Sequence, residues 1–532
     1  MLAKYLRFSK WGYGFLAVGI FILAYVVIAS YKLHFPGPQY DETLYLNGAL
    51  GGVDKVTFLT KTFHGLPVLL MPYIGALKAW IFYPIFAIFG VNPITMRLPS
   101  ILLTALGLFI LYYVLKQQIG RRLSVLTIAV TALSASFIMF TRLDEGPVVL
   151  DFLLKVIGIG LLLSFARRQK IAYLGAFWFV MLLGTFNKLN FIWYVNSFLT
   201  AFVLIYGRTL LRQSKASSER KKIILVSIIG YLLNVAYYLY INKTYHLGSS
   251  FGFVGFNLAY STLSNVIDGN WFYNYALSAH NAGTIVVFWL TAAIILAGGA
   301  LLVWKVRTKR KDLPSHAAFY GFIGLTLLLL LGQIVMTKQA TAGWHYFSVY
   351  PFVGILLVLG LDMFGRLRIG INWPALLRVG PMLVVGALCI YQLAVYRQYT
   401  NVYGKPVSNF SWSSSIYNLI DFAKAQPQSQ FVSLDWGTQT QLIGYDSVPN
   451  KYYEVFGPIQ LQNPVTAQQD FEKYIANLPN AYYVTHPASV AIFPNVTRDF
   501  FKLAEEHGYQ PIQVASFKDG SRTIFVVYRL HY

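Results

Sequence analysis

Acidic side chains are scarce in this chain, 20 Asp and Glu among 532 residues, so the positions of the few that interrupt its apolar stretches carry information. Four of them form two adjacent pairs, Asp41-Glu42 and Asp144-Glu145, each just beyond an apolar run. Either pair alone reads as solvated loop acids or helix caps. Two pairs at one level of the molecule point to a shared site. Cations expected at that level are Lys78, Arg97, Arg142, Lys188 and Lys338, with His345 nearby. Carboxylates beside cations at a membrane surface suit a reaction in which an anionic head group is held while a hydroxyl loses its proton. Asp41 is the candidate base, because a partly desolvated carboxylate takes a pKa nearer the working pH. For each cation the alternative is a side chain snorkelling to the interface. Lys188 fits that alternative least, since Asn187-Lys188-Leu189-Asn190 is a very short polar break between two apolar runs. No residue demands a redox cofactor, and none is required. Oxygen ligands from Asp41 and Asp144 would suit Mg²⁺ or Mn²⁺ if a metal takes part.

The elements that must position these groups are apolar helices. Hydrophobic residues make up 56% of the chain and mean hydropathy is +0.53, which excludes an ordinary soluble enzyme. Runs long enough to span a bilayer fall near 11–30, 98–115, 123–140, 147–165, 171–186, 191–207, 223–241, 283–304, 317–336, 349–365 and 379–396, about eleven in all. Lys4, Arg7 and Lys10 precede the first run, which reads as an uncleaved signal anchor with a cytoplasmic N-terminus. On that orientation 23 of the 43 Lys and Arg fall in the six inner loops. The net charge of +23 is thus a topology signal, and a nucleic-acid partner is not expected. Cys389, the single cysteine, lies in an apolar run, so a disulfide within the chain and a cysteine metal cluster are both excluded.

Residues 1–396 are therefore expected to form a polytopic α-helical membrane domain, and residues 397–532 a small α/β domain on the outer face of the plasma membrane. The latter holds ten basic and ten acidic residues. Phe431 to Asp435 and Ala481 to His486 read as buried strands, Arg498 to His507 as an amphipathic helix closed by Gly508, and Pro511 to Phe517 with Thr523 to Arg529 as a hairpin about Asp519-Gly520. In the long first outer loop, 31–97, the segments Tyr40 to Leu50 and Pro67 to Phe89 read as interfacial helices. The loop 242–282 is rich in aromatics (Phe251, Phe253, Phe256, Tyr260, Trp271, Phe272, Tyr273, Tyr275), which suits an interfacial belt or stacking on a sugar or lipid head group.

Several of these residues stand in an order that resembles a known family. Tyr40-Asp41-Glu42, Pro72-Tyr73-Ile74-Gly75-Ala76-Leu77-Lys78, Phe89-Gly90 and Arg97-Leu98-Pro99-Ser100 look like the first half of the protein O-mannosyltransferase and lipid A aminoarabinose transferase superfamily of GT-C membrane glycosyltransferases. Thr141-Arg142-Leu143-Asp144, Gly184 to Lys188, and Trp344-His345-Tyr346 before Pro351 continue the resemblance to about residue 360. It implies a GT-C fold, a polyprenyl-phosphate sugar as donor, and Asp41 as the catalytic aspartate, with Glu42 beside it, Asp144 as a second acidic residue and Glu145 next to that. Lys78, Arg97, Lys188 and His345 would meet the donor phosphate. The acceptor would be a lipid, glycan or protein hydroxyl, reached among membrane lipids. The chain departs from the family at His64-Gly65-Leu66-Pro67, where a Lys-Pro-Pro-type stretch is common. Two other classes compete. A flippase or transporter would place ionisable groups near the bilayer midplane, and a recognition protein would work without either acidic pair.

Overall fold

The computed structural model describes residues 2–49, 61–213, 217–247, 252–272, 285–308, 313–338, 340–366, 374–403, 405, 410–455, 459, 461–478 and 480–532. Among them, eight helices are long and apolar enough to cross a membrane: Pro93–Ala132, Val148–Arg168, Leu189–Leu210, Ser218–Thr244, Val286–Arg307, Ala317–Val335, Gly343–Gly365 and Val379–Val402. The chain is a multi-pass membrane protein. Two shorter apolar helices, Tyr13–Ala29 and Ile171–Asn187, coincide with further expected spans. Two of the eleven expected runs fall in the 40-residue helix Pro93–Ala132, which is divided at Gly120 by a non-helical backbone (φ 80°, ψ 170°) that glycine adopts readily. The run read as 123–140 breaks again after Ala132, where Gln392 Oε1 accepts from Ala135 N at 2.9 Å.

The elements that build the site are α1 (Leu2–Ala29), α2 (Tyr40–Ala49), β1 (Lys61–Phe63), β2 (Leu66–Met71), β3 (Ile74–Gly75), α3 (Leu77–Phe89), α4 (Pro93–Ala132), α5 (Ala135–Leu143), α6 (Val148–Arg168) and α7 (Ile171–Asn187). The segment 31–97, expected as the first outer loop, differs in part from that expectation. Tyr40–Ala49 and Leu77–Phe89 are helical, but the residues between 61 and 75 make a three-stranded antiparallel sheet. His64 and Gly65, both at positive φ (48° and 81°), turn β1 into β2. Asn92 starts α4 with a capping box: its side chain accepts from Ile94 N and Thr95 N, and Thr95 Oγ1 accepts from Asn92 N.

The C-terminal segment forms a five-stranded sheet with β4 (Phe431–Ser433), β5 (Tyr452–Glu454), β6 (Tyr482–Thr485), β7 (Gln510–Asp519) and β8 (Arg522–His531), in the order β5-β4-β6-β8-β7. β4 pairs in parallel with β5 and β6, and the β7–β8 hairpin turns at the expected Asp519-Gly520. The expected helix is Pro494–Glu506, with Gly508 at φ 85° beyond it. β5 and the helices Ser415–Lys424, Thr438–Tyr445 and Pro464–Phe471 were not anticipated.

The aromatics of the loop 242–282 divide between exposed and buried positions. Phe253, Phe256 and Tyr260 are exposed, but Trp271 and Phe272 are buried, packed on Phe140 at ring separations of 5.3 and 4.7 Å. Phe251, Tyr273 and Tyr275 lie outside the described residues.

Candidate active site

The eight candidate residues divide into one cavity and three buried contacts. A cavity of about 420 Å³ is lined by Asp41, Lys188 and His345, together with Tyr73, Asn190, Trp193, Trp344 and further residues. Asp41 is the second residue of α2, and its backbone N–H donates to Gln39 Oε1 at 2.5 Å. Among the described residues its carboxylate has no hydrogen-bond donor, so both oxygens remain free for a substrate. Burial raises its pKa from the ordinary 3.8 to about 6, against the opposing pull of the Lys188 charge.

Lys188 is placed by a local pairing that the sequence shows only as a polar break. α7 ends at Asn187, and Lys188 takes an extended conformation (φ −152°, ψ 124°) that bridges to Ile74 on β3. Leu189 N donates to Tyr73 O at 3.0 Å. The approach requires Gly75, since a Cβ there would lie 2.2 Å from Phe186 O. Lys188 Nζ donates to Gly146 O at 2.8 Å, its one hydrogen bond among the described residues. An ammonium has three donors, which leaves two for an anion. Burial lowers the Lys188 pKa, while Asp151, Asp41 and Asp144 act to raise it. His345 stands between Trp193 and Trp344, each ring 6.1 Å away, and its Nδ1 is buried without a partner.

The other five candidates are not in this cavity. Glu42 takes Arg97 in a bidentate pair, Nε to Oε1 at 2.6 Å and Nη2 to Oε2 at 2.8 Å. Arg97 also donates to the carbonyls of Leu33, Pro36 (2.8 Å) and Gly37 (3.4 Å), tying down the chain that enters α2. Asp144 ends α5 in the left-handed region (φ 53°, ψ 39°) and forms a buried ion pair with Lys78 at 2.7 Å. Its carboxylate also accepts from Ser100 Oγ at 3.1 Å and from Val149 N at 2.8 Å, where it caps the start of α6. Lys78 lies over the Tyr45 ring at 4.2 Å. Glu145 is fully buried and accepts from Trp412 Nε1 at 2.9 Å. Burial, and then the charges of Asp41 and Glu42, push its pKa well above the carboxylate range. Arg142 likewise serves structure, donating to the carbonyls of Ala29 (3.2 Å), Tyr31 (2.7 Å), Lys32 and Phe35, whereas Lys338 is exposed.

Asp144, one of the two carboxylates that could bridge a divalent ion, is already engaged within the protein. Three donors already sit on the two Asp144 oxygens, one of them a cation. Among the described residues, no three His, Cys, Asp or Glu gather closely enough to hold a metal.

Sequence reasoning missed Asn190, Trp193 and Tyr73 as wall residues, and Asp151 behind the wall. Asp151 accepts from Asn187 Nδ2 at 2.9 Å, next to Lys188. Its signal was available, since an acid inside an apolar run is rarely incidental.

Comparison with known proteins agrees with the family resemblance. The family model of the dolichyl-phosphate-mannose-protein mannosyltransferases matches residues 75–234. No curated protein matches the chain by sequence. Among solved structures, ArnT from Cupriavidus metallidurans bound to undecaprenyl phosphate is similar at 15% identity and TM-score 0.55, covering 97% of this chain and 98% of that one. The archaeal oligosaccharyltransferase AglB from Archaeoglobus fulgidus, in complex with an inhibitory peptide and a dolichol-phosphate, is similar at 10% identity and TM-score 0.53, covering 96% and 75%. The chain has the GT-C fold of these solved structures, and its residues 75–234 match the dolichyl-phosphate-mannose-protein mannosyltransferase model.

Proposed function

We propose that the chain is an inverting glycosyltransferase that moves one sugar from a polyprenyl monophosphate to the hydroxyl of a lipid, glycan or protein at the outer face of the plasma membrane. The observation that carries this reading is the pairing, in one cavity, of a carboxylate that accepts no hydrogen bond from the described residues and an ammonium that spends one of its three donors on them. The acceptor oxygen attacks the anomeric carbon while its proton passes to Asp41. The bond from that carbon to the phosphate oxygen breaks, and its electron pair leaves with the polyprenyl phosphate. Lys188 meets the charge that develops there, and fixed charge in a poorly hydrated cleft is effective in that role. His345 supplies a further polar contact. The polyprenyl phosphates bound by ArnT and AglB support a lipid-phosphate donor. The basic inner loops support an outward-facing site.

The test incubates purified protein with a panel of labelled undecaprenyl-phosphate hexoses and pentoses and with envelope from cells lacking the gene. Surface glycans and glycolipids of those cells are compared with wild type by mass spectrometry. Transfer of label, and a matching sugar missing from the deletion strain, are expected. An unchanged surface and no transfer from any donor would overturn the assignment. Transport of the intact lipid across sealed vesicles would point instead to a flippase.

A further inference from the structure

The C-terminal domain reaches the membrane part through a loop and a short helix that lie on α2, the helix carrying Asp41. Asp435-Trp436-Gly437 follow β4 and lead into helix Thr438–Tyr445. The Trp436 ring lies 4.2 Å from the ring of Tyr40, the residue before Asp41. Gly437 sits at φ 93°, and a Cβ there would approach Tyr40 Cβ at 3.3 Å. Gln441 Nε2 donates to Pro38 O at 2.6 Å. At Gly444 a Cβ would come within 2.9 Å of Leu46 Cδ1. Positions 437, 441 and 444 follow helical spacing, so one face of this helix is shaped to α2.

The loop is held rigidly from its own side. Glu454, at the end of β5, accepts from Gly437 N at 2.7 Å. Asp435 accepts from His486 Nδ1 at 3.0 Å, Ile492 N at 2.9 Å and Phe493 N at 3.1 Å. Trp436 nevertheless packs outside its own domain's two apolar cores. It joins the cluster formed by Tyr40, Leu44, Leu46 and Met71 of the first outer loop. A large side chain presented by one domain to the core of another is a fixture between them.

We propose that the C-terminal domain is a positioning element for the site: Trp436 clamps Tyr40, and with it the first turn of α2, so that Asp41 is held at the cavity wall. This rests on the reading of Asp41 as the base. Arg97 grips Glu42 and the preceding carbonyls from the membrane side, and Trp436 with Gln441 closes the grip from the other. Trp436 itself touches no reacting atom.

Two measurements on the full-length protein separate this proposal from the reading beneath it. In the transfer assay, with the undecaprenyl-phosphate sugar that wild type uses best, Trp436→Leu should lower kcat by about 10- to 10²-fold, the order expected when a reacting group is slightly misplaced. Donor KM should stay near wild type, and Trp436→Phe should restore most of the rate. A wild-type kcat in Trp436→Leu would overturn the clamp, as would a loss seen mainly in KM or one that Phe does not relieve. The second measurement needs no activity. Cys389 is the single cysteine and is buried, so Asp41→Cys in a Cys389→Ser background gives one thiol to label with a charged maleimide. Adding Trp436→Leu should raise its labelling rate several-fold, and Trp436→Phe should not. Equal rates in all three proteins would overturn the clamp even if no donor were ever turned over. Absence of transfer by wild type, with the labelling difference intact, would overturn only the enzymatic reading.

Discussion

The two acidic pairs have the same composition and opposite fates. Asp41 and Glu42 occupy the first turn of α2, where neighbouring side chains diverge by about 100°. Glu42 turns inward to Arg97, and Asp41 is left at the cavity wall. Asp144 and Glu145 lie in a turn opened by a left-handed residue, and both are directed into protein, one to Lys78, Ser100 and Val149 N, the other to Trp412. The cations divide likewise. Lys78 is held by Asp144 and the Tyr45 ring, whereas Lys188 gives the described residues only one of its three donors. Free bonding capacity at a cavity wall, rather than the mere presence of charge, separates the candidates for chemistry from those that hold the frame.

The largest effect expected from this contrast is at Asp41. Asp41→Asn keeps the shape and removes the basicity, and general-base catalysis contributes about 10²- to 10⁴-fold, so transfer should fall on that order with the protein still folded. Glu42→Gln, one residue away, should act mainly on stability. It leaves the Arg97 charge buried and unpaired, and breaking one side of a buried ion pair costs about 3–5 kcal/mol. A lowered thermal midpoint and reduced yield in detergent are expected, with the folded fraction keeping far more activity than Asp41→Asn. Asp144→Asn should resemble Glu42→Gln. The comparison would fail if Asp144→Asn lost turnover as completely as Asp41→Asn at unchanged stability.

An intermediate effect is expected at Lys188. A hydrogen bond to a charged group contributes about 1.5–3 kcal/mol, so Lys188→Ala should weaken use of the donor by about 10- to 10²-fold. Lys188→Arg should recover only part, since a planar fork does not replace a compact point charge. Steady-state kinetics against donor concentration checks both, and wild-type kinetics in Lys188→Ala would return this side chain to a purely structural role.

Much of this was legible in the sequence, and the limit has a physical reason. Apolar runs are written locally, so the spans and the Asp519-Gly520 hairpin could be read directly. The motif order brought Asp41, Lys188 and His345 to one cavity although residue 345 is 304 positions from residue 41. Which acid each cation would take could not be read. Arg97 finds Glu42 across 55 residues and Lys78 finds Asp144 across 66, with no pattern near either to announce it. The residues between 61 and 75 look apolar and interfacial because β2 buries most of its side chains, which hides the alternation of a half-buried strand.

The smallest expected effect is the pH dependence that ties Asp41 to the cavity. As a base it must be ionised, so kcat/KM should rise with pH, pass half its maximum near 6 and then level off, falling about tenfold per unit well below that value. The same shift has the opposite sign for stability. Between about pH 4 and 6 the folded protein holds a proton on Asp41 that the unfolded chain has released, so ionisation at this site lowers stability as pH rises through that window. Asp41→Asn removes the charge that burial opposes. Above pH 6 it should therefore melt no lower than wild type, and its advantage should shrink as the pH falls toward 4. Thermal melts of the two proteins at matched pH read this difference directly. An Asn variant less stable than wild type at pH 7 would mean that Asp41 is paired within the protein, as Glu42 and Asp144 are, and the distinction between the two acidic pairs would be lost.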